Sequence, residues 1–495
     1  MASKQHHVMA VPLPAQGHIN PMMRFCRMLA KEGVIVTFVN VDLVHYRLEE
    51  LKQQQQQQED EYGGVEQQPA EGGSESCKEN SKIRSAHVPV EGLDLSRGFA
   101  LSSEDFFEAQ KSIAPHLERL LLQLNRSGPP VTCIISDICM TAPTQPLADS
   151  FNLPRIALYP SSQSMLLLFH YFMEGPLSTS KVLEVVNETK GTCEAFATGL
   201  EGLPSIIQNH DLPQFRHVTD DTEYMFKFLT CELEHCFKKA HSMVVNSFYD
   251  LEGPAFKTMS THVSTPMYGI GPLVEPLEES NTTSFWKEDE ACMLWLDQQP
   301  ASSVLFISFG SVALLSHAQF EEIFSGFLSS TQRFLWVFRS GLVQNSPSSI
   351  DPADLTSKTQ GKGIFVDWAP QVQVLSHPSI GGFLTHCGWN STVEAISLGV
   401  PLLCWPYLGD QFFIAKYAVE EWKIGLRFKK DDKRGLVVQD EIERVIKMLM
   451  QGEEGKIIRE NVAHLKKACS KTILPGGESY KSIHTLLLSL LSSEI

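Results

Sequence analysis

Basic charge is in short supply in this chain. Its 41 lysines and arginines stand against 58 aspartates and glutamates, a formal net charge of −17. A surface of that sign repels phosphate backbones and anionic bilayers, which excludes nucleic acid and membrane surfaces as principal partners but leaves room for a local pocket holding one small phosphate. No Asp-x-Asp triplet occurs, so one common way of fixing a divalent cation against a diphosphate is missing. No two of the eleven cysteines form a C-x-x-C pair. That removes the zinc-knuckle and thioredoxin-like readings, and an odd number of thiols spread along the chain suits the reducing cytosol. The apolar run Val8–Val11 is stopped at once by Pro12 and Pro14, so a secretory leader is not expected. The apolar stretch Leu486–Leu491 near the other end is far too short to span a bilayer.

What is present is ordinary soluble-enzyme material: 43% hydrophobic and 20% charged residues over 495 positions. That length exceeds one ordinary core and predicts two domains. Short apolar runs alternate with helical periodicity in two series. The first has strands expected at Val8–Leu13, Val34–Val39, Ile83–Val90, Val131–Ser136, Ile156–Tyr159 and Ser242–Asn246. The second has strands at Ser303–Phe309, Phe334–Phe338, Gly363–Val366, Gly382–Thr385 and Pro401–Trp405, with helices between. Such alternation implies an α/β fold, parallel sheets covered by helices on both faces, and a cleft at the carboxyl ends of the strands. In the first series Asn20 and Pro21 read as a helix start, with a capping side chain followed by a residue that has no amide hydrogen. Residues 53–81 open with polyglutamine and continue acidic and glycine-rich, with little to bury, and are expected to form a disordered loop. Prolines and glycines crowd together between Leu251 and Phe285 and predict a linker at 256–285. The expected domains are therefore 1–255 and 286–475, with 476–495 packing back on the first.

The chemistry concentrates between Trp368 and Gln411. An apolar strand ends in Thr385-His386-Cys387-Gly388-Trp389-Asn390-Ser391 and turns into a helix. Backbone amides at a helix start, with the helix dipole behind them, suit a phosphate, and His386, Asn390 and Ser391 can add donors. The plain alternative is a capping box formed by Ser391 and Glu394, and the two readings compete for Glu394, because a side chain folded back onto an amide cannot hold a ligand. Trp368 as a packing indole, and Asp410 with Gln411 as a simple helix start, are further plain alternatives. His18 follows the first strand and Asp137 ends the fourth, so both belong on the carboxyl rim of a parallel sheet. A neutral imidazole oriented by a carboxylate can take a proton from a hydroxyl.

The run Trp368-Ala369-Pro370-Gln371, Leu375, His377, Gly382, Thr385 through Ser391, Glu394, Gly399, Pro401, Pro406 and Asp410-Gln411 resembles the signature box of the plant family 1 UDP-glycosyltransferases, in order and at the family's spacing. Phe309-Gly310-Ser311, Tyr268–Pro272 and Gln16–Pro21 resemble further family motifs. The resemblance implies two Rossmann-like domains facing across a cleft, the GT-B arrangement. It implies His18 as general base and Asp137 as its partner. It places Trp368 and Ala369 on the uracil ring, Glu394 on the ribose, and His386, Asn390, Ser391 and Ser311 on the diphosphate. Trp389, Asp410 and Gln411 would contact the sugar, with Trp389 and Gln411 favouring glucose. Expected throughout are a UDP-sugar donor, a small lipophilic hydroxylated acceptor of phenolic or flavonoid type (a terpenoid or hormone as the alternative), inversion at the sugar, and neither cofactor nor metal. A monomer in the cytoplasm completes the expectation. Ser161 and Ser162 stand where the family often has a threonine near the sugar, and the difference in residue type keeps them off the list. Phe106, Phe107, Met165, Phe169 and Phe172 are candidates for an apolar acceptor pocket.

Overall fold

The structure, a computed structural model, describes residues 6–50, 53, 82–90, 104–174, 195–213, 220–274, 291–339, 341–344 and 350–492. The polyglutamine segment from 54 to 81 and linker residues 275–285 therefore lie outside the described residues, as do the side chains of Phe106 and Phe107.

Seven strands make the first sheet: β1 (His7–Val11), β2 (Ile35–Val41), β3 (Ile83–Val88), β4 (Cys133–Asp137), β5 (Arg155–Tyr159), β6 (Ser242–Val245) and β7 (Met267–Gly269). They lie in the order β3-β2-β1-β4-β5-β6-β7, every neighbour parallel. Six strands make the second: β8 (Val304–Ser308), β9 (Arg333–Val337), β10 (Gly363–Val366), β11 (Ile380–Thr385), β12 (Leu402–Cys404) and β13 (Gly425–Arg427). Their order is β10-β9-β8-β11-β12-β13, again all parallel. Each sheet thus reverses its winding once, between β1 and β4 in the first and between β8 and β11 in the second. Loops diverge at such a switch point and leave a crevice at the strand ends. Central strands are buried on both faces, which is why Val304-Leu305-Phe306-Ile307 is continuously apolar rather than alternating.

The helices that matter to the site are α1 (Gln16–Lys31), α2 (Gln163–Glu174), α3 (Tyr249–His262), α4 (Trp389–Leu398), α5 (Gln411–Lys416) and α6 (Glu478–Ser492). Two sequence expectations about them are corrected. Helix α1 begins at Gln16, four residues before Asn20, because the Ala15 carbonyl accepts the amides of His18 and Ile19. Asn20 does not cap; its Oδ1 accepts Gln16 Nε2 at 2.8 Å. Pro21 consequently sits inside the helix, where its missing amide deprives the Gly17 carbonyl of a partner. The second correction concerns the linker. The chain from 256 continues α3 to His262 and then supplies β7, the edge strand of the first sheet, so residues 256–269 of the expected linker belong to the first domain.

Helix α6 buries Ile483, Leu486 and Leu487 in the same core as Val8, Phe25 and Val244 of the first sheet, and Ser479 Oγ donates to the Gly271 carbonyl at 2.6 Å. The domains also meet through a buried ionic contact. Asp211, fully buried, accepts from Arg427 Nη1 at 3.2 Å and lies 3.4 Å from Lys416 Nζ, both on the second domain. Removing the carboxylate leaves buried Lys416 its pair with Glu420 alone, at 2.5 Å, and leaves Arg427, 22% exposed, only the Phe412 carbonyl. Asp211→Ala is accordingly expected to lower stability by about 1–3 kcal/mol, measured as a fall in the urea midpoint of the first cooperative transition. A surface pair such as Lys456–Glu453 serves as control and is expected to shift it by less than about 1 kcal/mol when broken.

Candidate active site

The first switch point carries the expected pair. β1 and β4 are neighbours, with Val11 opposite Ser136, so the residues that follow them emerge side by side. His18 lies in the first turn of α1 and Asp137 is the last residue of β4. His18 Nδ1 and Asp137 Oδ2 are 2.7 Å apart, the carboxylate fully buried and the imidazole side chain 27% exposed. Asp137 Oδ1 accepts the Cys139 amide at 2.9 Å, which fixes the carboxylate in rotation. A carboxylate on Nδ1 makes that nitrogen the donor and leaves the Nε2 lone pair facing the cleft. Burial alone would depress the imidazole pKa. The Asp137 charge and its hydrogen bond, with a smaller contribution from the Asp410 carboxylate, outweigh it, and the net direction is upward.

The second switch point lies across the cleft. Phe309-Gly310-Ser311 follows β8, and His386–Ser391 follows its neighbour β11. Helix α4 starts at Trp389 with Gly388 at its N-cap and no capping side chain. Ser391 is the third helical residue and cannot cap, so the capping-box alternative is excluded and the amide end of α4 is left open to the cleft. Glu394 instead turns to the domain seam. Its Oε1 accepts Arg24 Nη2 at 3.0 Å and its Oε2 accepts Gln371 Nε2 at 2.6 Å, while Gln371 also donates to Ser391 Oγ at 3.0 Å. The His386 ring lies against Gly310 and Gly388, and burial pushes its pKa down to about 4. It is neutral at working pH, so any bond it donates carries no formal positive charge.

One cavity of about 490 Å³ joins the two switch points and touches all of the expected site residues except Asp137, which stands behind His18: His18, Ser311, Trp368, Ala369, His386, Trp389, Asn390, Ser391, Glu394, Asp410 and Gln411 all line it. Trp368 is half-buried with part of its surface on the cavity, between the packing and the ligand alternatives. Three side chains spend polar atoms elsewhere than expected. Asn390 Nδ2 donates to the Gly17 carbonyl that Pro21 left open, at 2.7 Å. The Trp389 indole nitrogen donates to the Asn246 carbonyl at 2.7 Å, so its backbone amide, not its ring nitrogen, remains for a ligand. Gln411 Oε1 accepts the amides of Tyr407 and Leu408, so it is the Nε2 end that can serve the cavity. Asp410 occupies the N-cap position of α5 without capping it; its Oδ2 accepts Ser161 Oγ from the first domain at 2.6 Å. Burial raises its pKa, opposed by that bond and by His18.

Matches to known proteins agree with this arrangement. Residues 279–467 match the family described as "UDP-glucoronosyl and UDP-glucosyl transferase", and residues 4–59 match "Glycosyltransferase, N-terminal domain". The chain is 33% identical to 7-deoxyloganetin glucosyltransferase of Catharanthus roseus, over 99% of this chain and 97% of that one. It is 32% identical to (R)-mandelonitrile beta-glucosyltransferase of Prunus dulcis, over 100% and 99%. The chain belongs to the plant family 1 UDP-glycosyltransferases. Among solved structures it is similar to Os79 from O. sativa in complex with UDP, with a TM-score of 0.78 and 26% identity over 98% of this chain and 100% of that one. It is also similar to UGT2 of Phytolacca americana complexed with UDP-2fluoro-glucose and pterostilbene, at 0.74 and 28%, over 98% and 99%. The fold is GT-B, and the enzyme is a UDP-glycosyltransferase.

Within this glycosyltransferase, sequence reasoning assigned no role to Arg24, Asn246 or Gln371, and Ser161, weighed near the sugar and left off the list for its residue type, proves to bond Asp410. Asn246, almost wholly buried, accepts the Leu273 amide on Oδ1, donates to Asn390 Oδ1 and offers its carbonyl to Trp389. The signals were an arginine on an otherwise apolar helix face for Arg24, a polar residue just past a strand end for Asn246, and a place in the signature box for Gln371. Of the acceptor candidates, Phe169 reaches the cavity, whereas Met165 and Phe172 are core. Leu13, Ile138, Cys139, Tyr159, Leu229 and Leu233 supply most of the remaining apolar wall on the first-domain side.

Two consequences are measurable. The His18 ring, followed by NMR and assigned by difference from His18→Ala, is expected to titrate above the ordinary imidazole value of about 6.5. In Asp137→Asn it is expected to titrate below that value, since the carboxylate's raising effect goes and the lowering effect of burial stays. Gly310 has φ +71°, and a Cβ there would meet the His386 ring within van der Waals distance. Gly310→Ala is therefore expected to weaken UDP binding about tenfold through displacement of His386 from the cavity wall, read by calorimetry.

Proposed function

We propose that this enzyme is an inverting, metal-independent UDP-glucose-dependent O-glucosyltransferase acting on a small lipophilic alcohol. The observation that carries the reading is the His18–Asp137 pair at 2.7 Å, facing the open helix start of α4 across a single cavity. His18 Nε2 takes the proton of the acceptor hydroxyl as its oxygen attacks the anomeric carbon. Asp137 keeps the proton on Nδ1 and stabilises the imidazolium that forms. UDP leaves from the opposite face, so one displacement converts an α-linked donor to a β-glucoside. Charge gathering on the leaving diphosphate is met by the amides at the start of α4 and by donors from His386, Ser391 and Ser311. Fixed dipoles of this kind do not need to reorganise during the reaction. Trp368 and Ala369 take the uracil, Glu394 the ribose, and Asp410 with Gln411 the sugar hydroxyls. Asp410 suits that task because its link to Ser161 ties the sugar subsite to the domain carrying the base.

An alcohol is favoured over the flavonoid expected from the sequence because the relatives named for 7-deoxyloganetin and (R)-mandelonitrile match nearly the whole chain. The terpenoid alternative is thereby the better supported of the two acceptor classes. A phenol remains the second reading, supported by the similar Phytolacca structure holding pterostilbene. We further read the enzyme as a cytosolic monomer; the nine cysteines among the described residues are all unpaired, which suits a reducing compartment. Among the described residues no helix is long and apolar enough to cross a membrane.

The test combines purified enzyme, UDP-glucose, a panel of terpenoid alcohols, hydroxynitriles and phenols, and a chelator. A β-glucoside formed equally with and without chelator is expected, with kcat falling about 10²–10⁴-fold in His18→Ala. The kcat/KM profile is expected to lose activity on its acid side as His18 protonates. An α-glucoside, or His18→Ala near wild-type rate, would overturn the mechanism.

A further inference from the structure

Helix α1 sends one more side chain to the donor side than the family motifs assign. Gly17 and Arg24 stand two turns apart on one face of α1, and Asn390 and Glu394 stand one turn apart on α4. The two helices meet with their amino-terminal turns side by side. Asn390 Nδ2 bonds the Gly17 carbonyl at 2.7 Å, and Arg24 Nη2 bonds Glu394 Oε1 at 3.0 Å, with both members of the second pair buried. Arg24 Nη1 also donates to the Leu273 carbonyl at 2.9 Å, in the segment leading out of the first domain. One guanidinium therefore ties the helix of the base, the connecting segment and a carboxylate of the donor cavity, which it also lines.

Glu394 is oriented by these bonds without being used up. An ionised carboxylate offers about four acceptor sites. Arg24 takes one on Oε1 and Gln371 one on Oε2, so each oxygen keeps a further acceptor site, and Glu394 lines the cavity. Two free sites side by side match the vicinal hydroxyls of a ribose. With Gln371 alone the carboxylate would be held at one oxygen only and could turn about it; a charge-assisted bond at the other oxygen stops that rotation.

We propose that Arg24 is a positioning residue of the donor site: from the opposite domain it aims Glu394 at the ribose, so ribose recognition is complete only when the two domains are closed on each other. This rests on the reading of Glu394 as the ribose ligand, and the test separates the two. Dissociation constants for UDP and for 2′-deoxy-UDP are measured by calorimetry on wild type, Glu394→Gln, Arg24→Met and Arg24→Gln, with steady-state kinetics on UDP-glucose and acceptor. Wild type is expected to prefer UDP by about tenfold or more, the worth of hydrogen bonds to a charged group. Glu394→Gln is expected to abolish the preference. Arg24→Met is expected to cut it to within about threefold and to raise KM for UDP-glucose more than it lowers kcat, with acceptor KM unchanged. Arg24→Gln keeps a donor for Leu273 but loses the charge-assisted bond, and the same loss of preference is expected of it where Arg24→Met does not fold. If the folded Arg24 variants weaken UDP and 2′-deoxy-UDP equally, Arg24 merely supports the fold and the proposal is overturned. If Glu394→Gln keeps the wild-type preference, the ribose reading itself fails and takes the proposal with it.

Discussion

The chemistry of this enzyme is divided between two sheets, so every distance in the site depends on the seam that holds their carboxyl edges face to face. The seam is made of directional polar contacts rather than apolar area alone. Asn390 completes the carbonyl that Pro21 leaves open in α1, Asn246 binds both Trp389 and Asn390, Arg24 meets Glu394, and Ser161 meets Asp410. Each contact joins a first-domain residue to a second-domain residue. A hydrophobic seam could slide; bonds of fixed geometry cannot slide without breaking, and at Arg24–Glu394 and at the Trp389 nitrogen that leaves buried groups unpaired, which costs more than the bonds contribute.

The electrostatics follow from that placement. Two helix starts, α1 and α4, point their amide ends into one crevice, so the positive potential there comes from fixed backbone dipoles. His386 adds polarity without charge, because burial keeps it neutral. His18 is the one imidazole in the cleft whose pKa is raised, and two carboxylates on opposite domains raise it. Asp137 is fixed by the Cys139 amide and sets the tautomer, whereas Asp410 belongs to the sugar side and senses His18 across the gap. The base and the donor subsite are thus coupled electrostatically as well as mechanically.

The central strands, their parallel direction and the two-domain plan were legible because fully buried parallel strands write themselves as continuous apolar runs and helix starts write themselves as Gly turns followed by polar residues; the three-residue edge strands β7 and β13 were not, being too short to show a pattern. The positions of His18 and Asp137 after strand ends, and the run from His386 to Ser391, were legible for the same reason. The start of α1 was not. Asn20-Pro21 carries the local signature of a helix start, yet a contact 373 positions away makes Pro21 tolerable inside the helix. The role of Glu394 was also undecidable locally, since capping and ligand binding draw on the same side chain.

By itself the sequence determined the periodicities, hence two α/β sheets, and through its signature box the chemical types available at each strand end. Those follow from local propensity and burial, which act within a few residues. Only the tertiary structure decided which of those residues face one another: that Arg24 rather than a helix amide holds Glu394, that Asn390 and the Trp389 ring nitrogen serve the seam, and that Ser161 reaches Asp410. These pairings join residues hundreds of positions apart, and they exist because two separately wound sheets close their switch points on a single cavity.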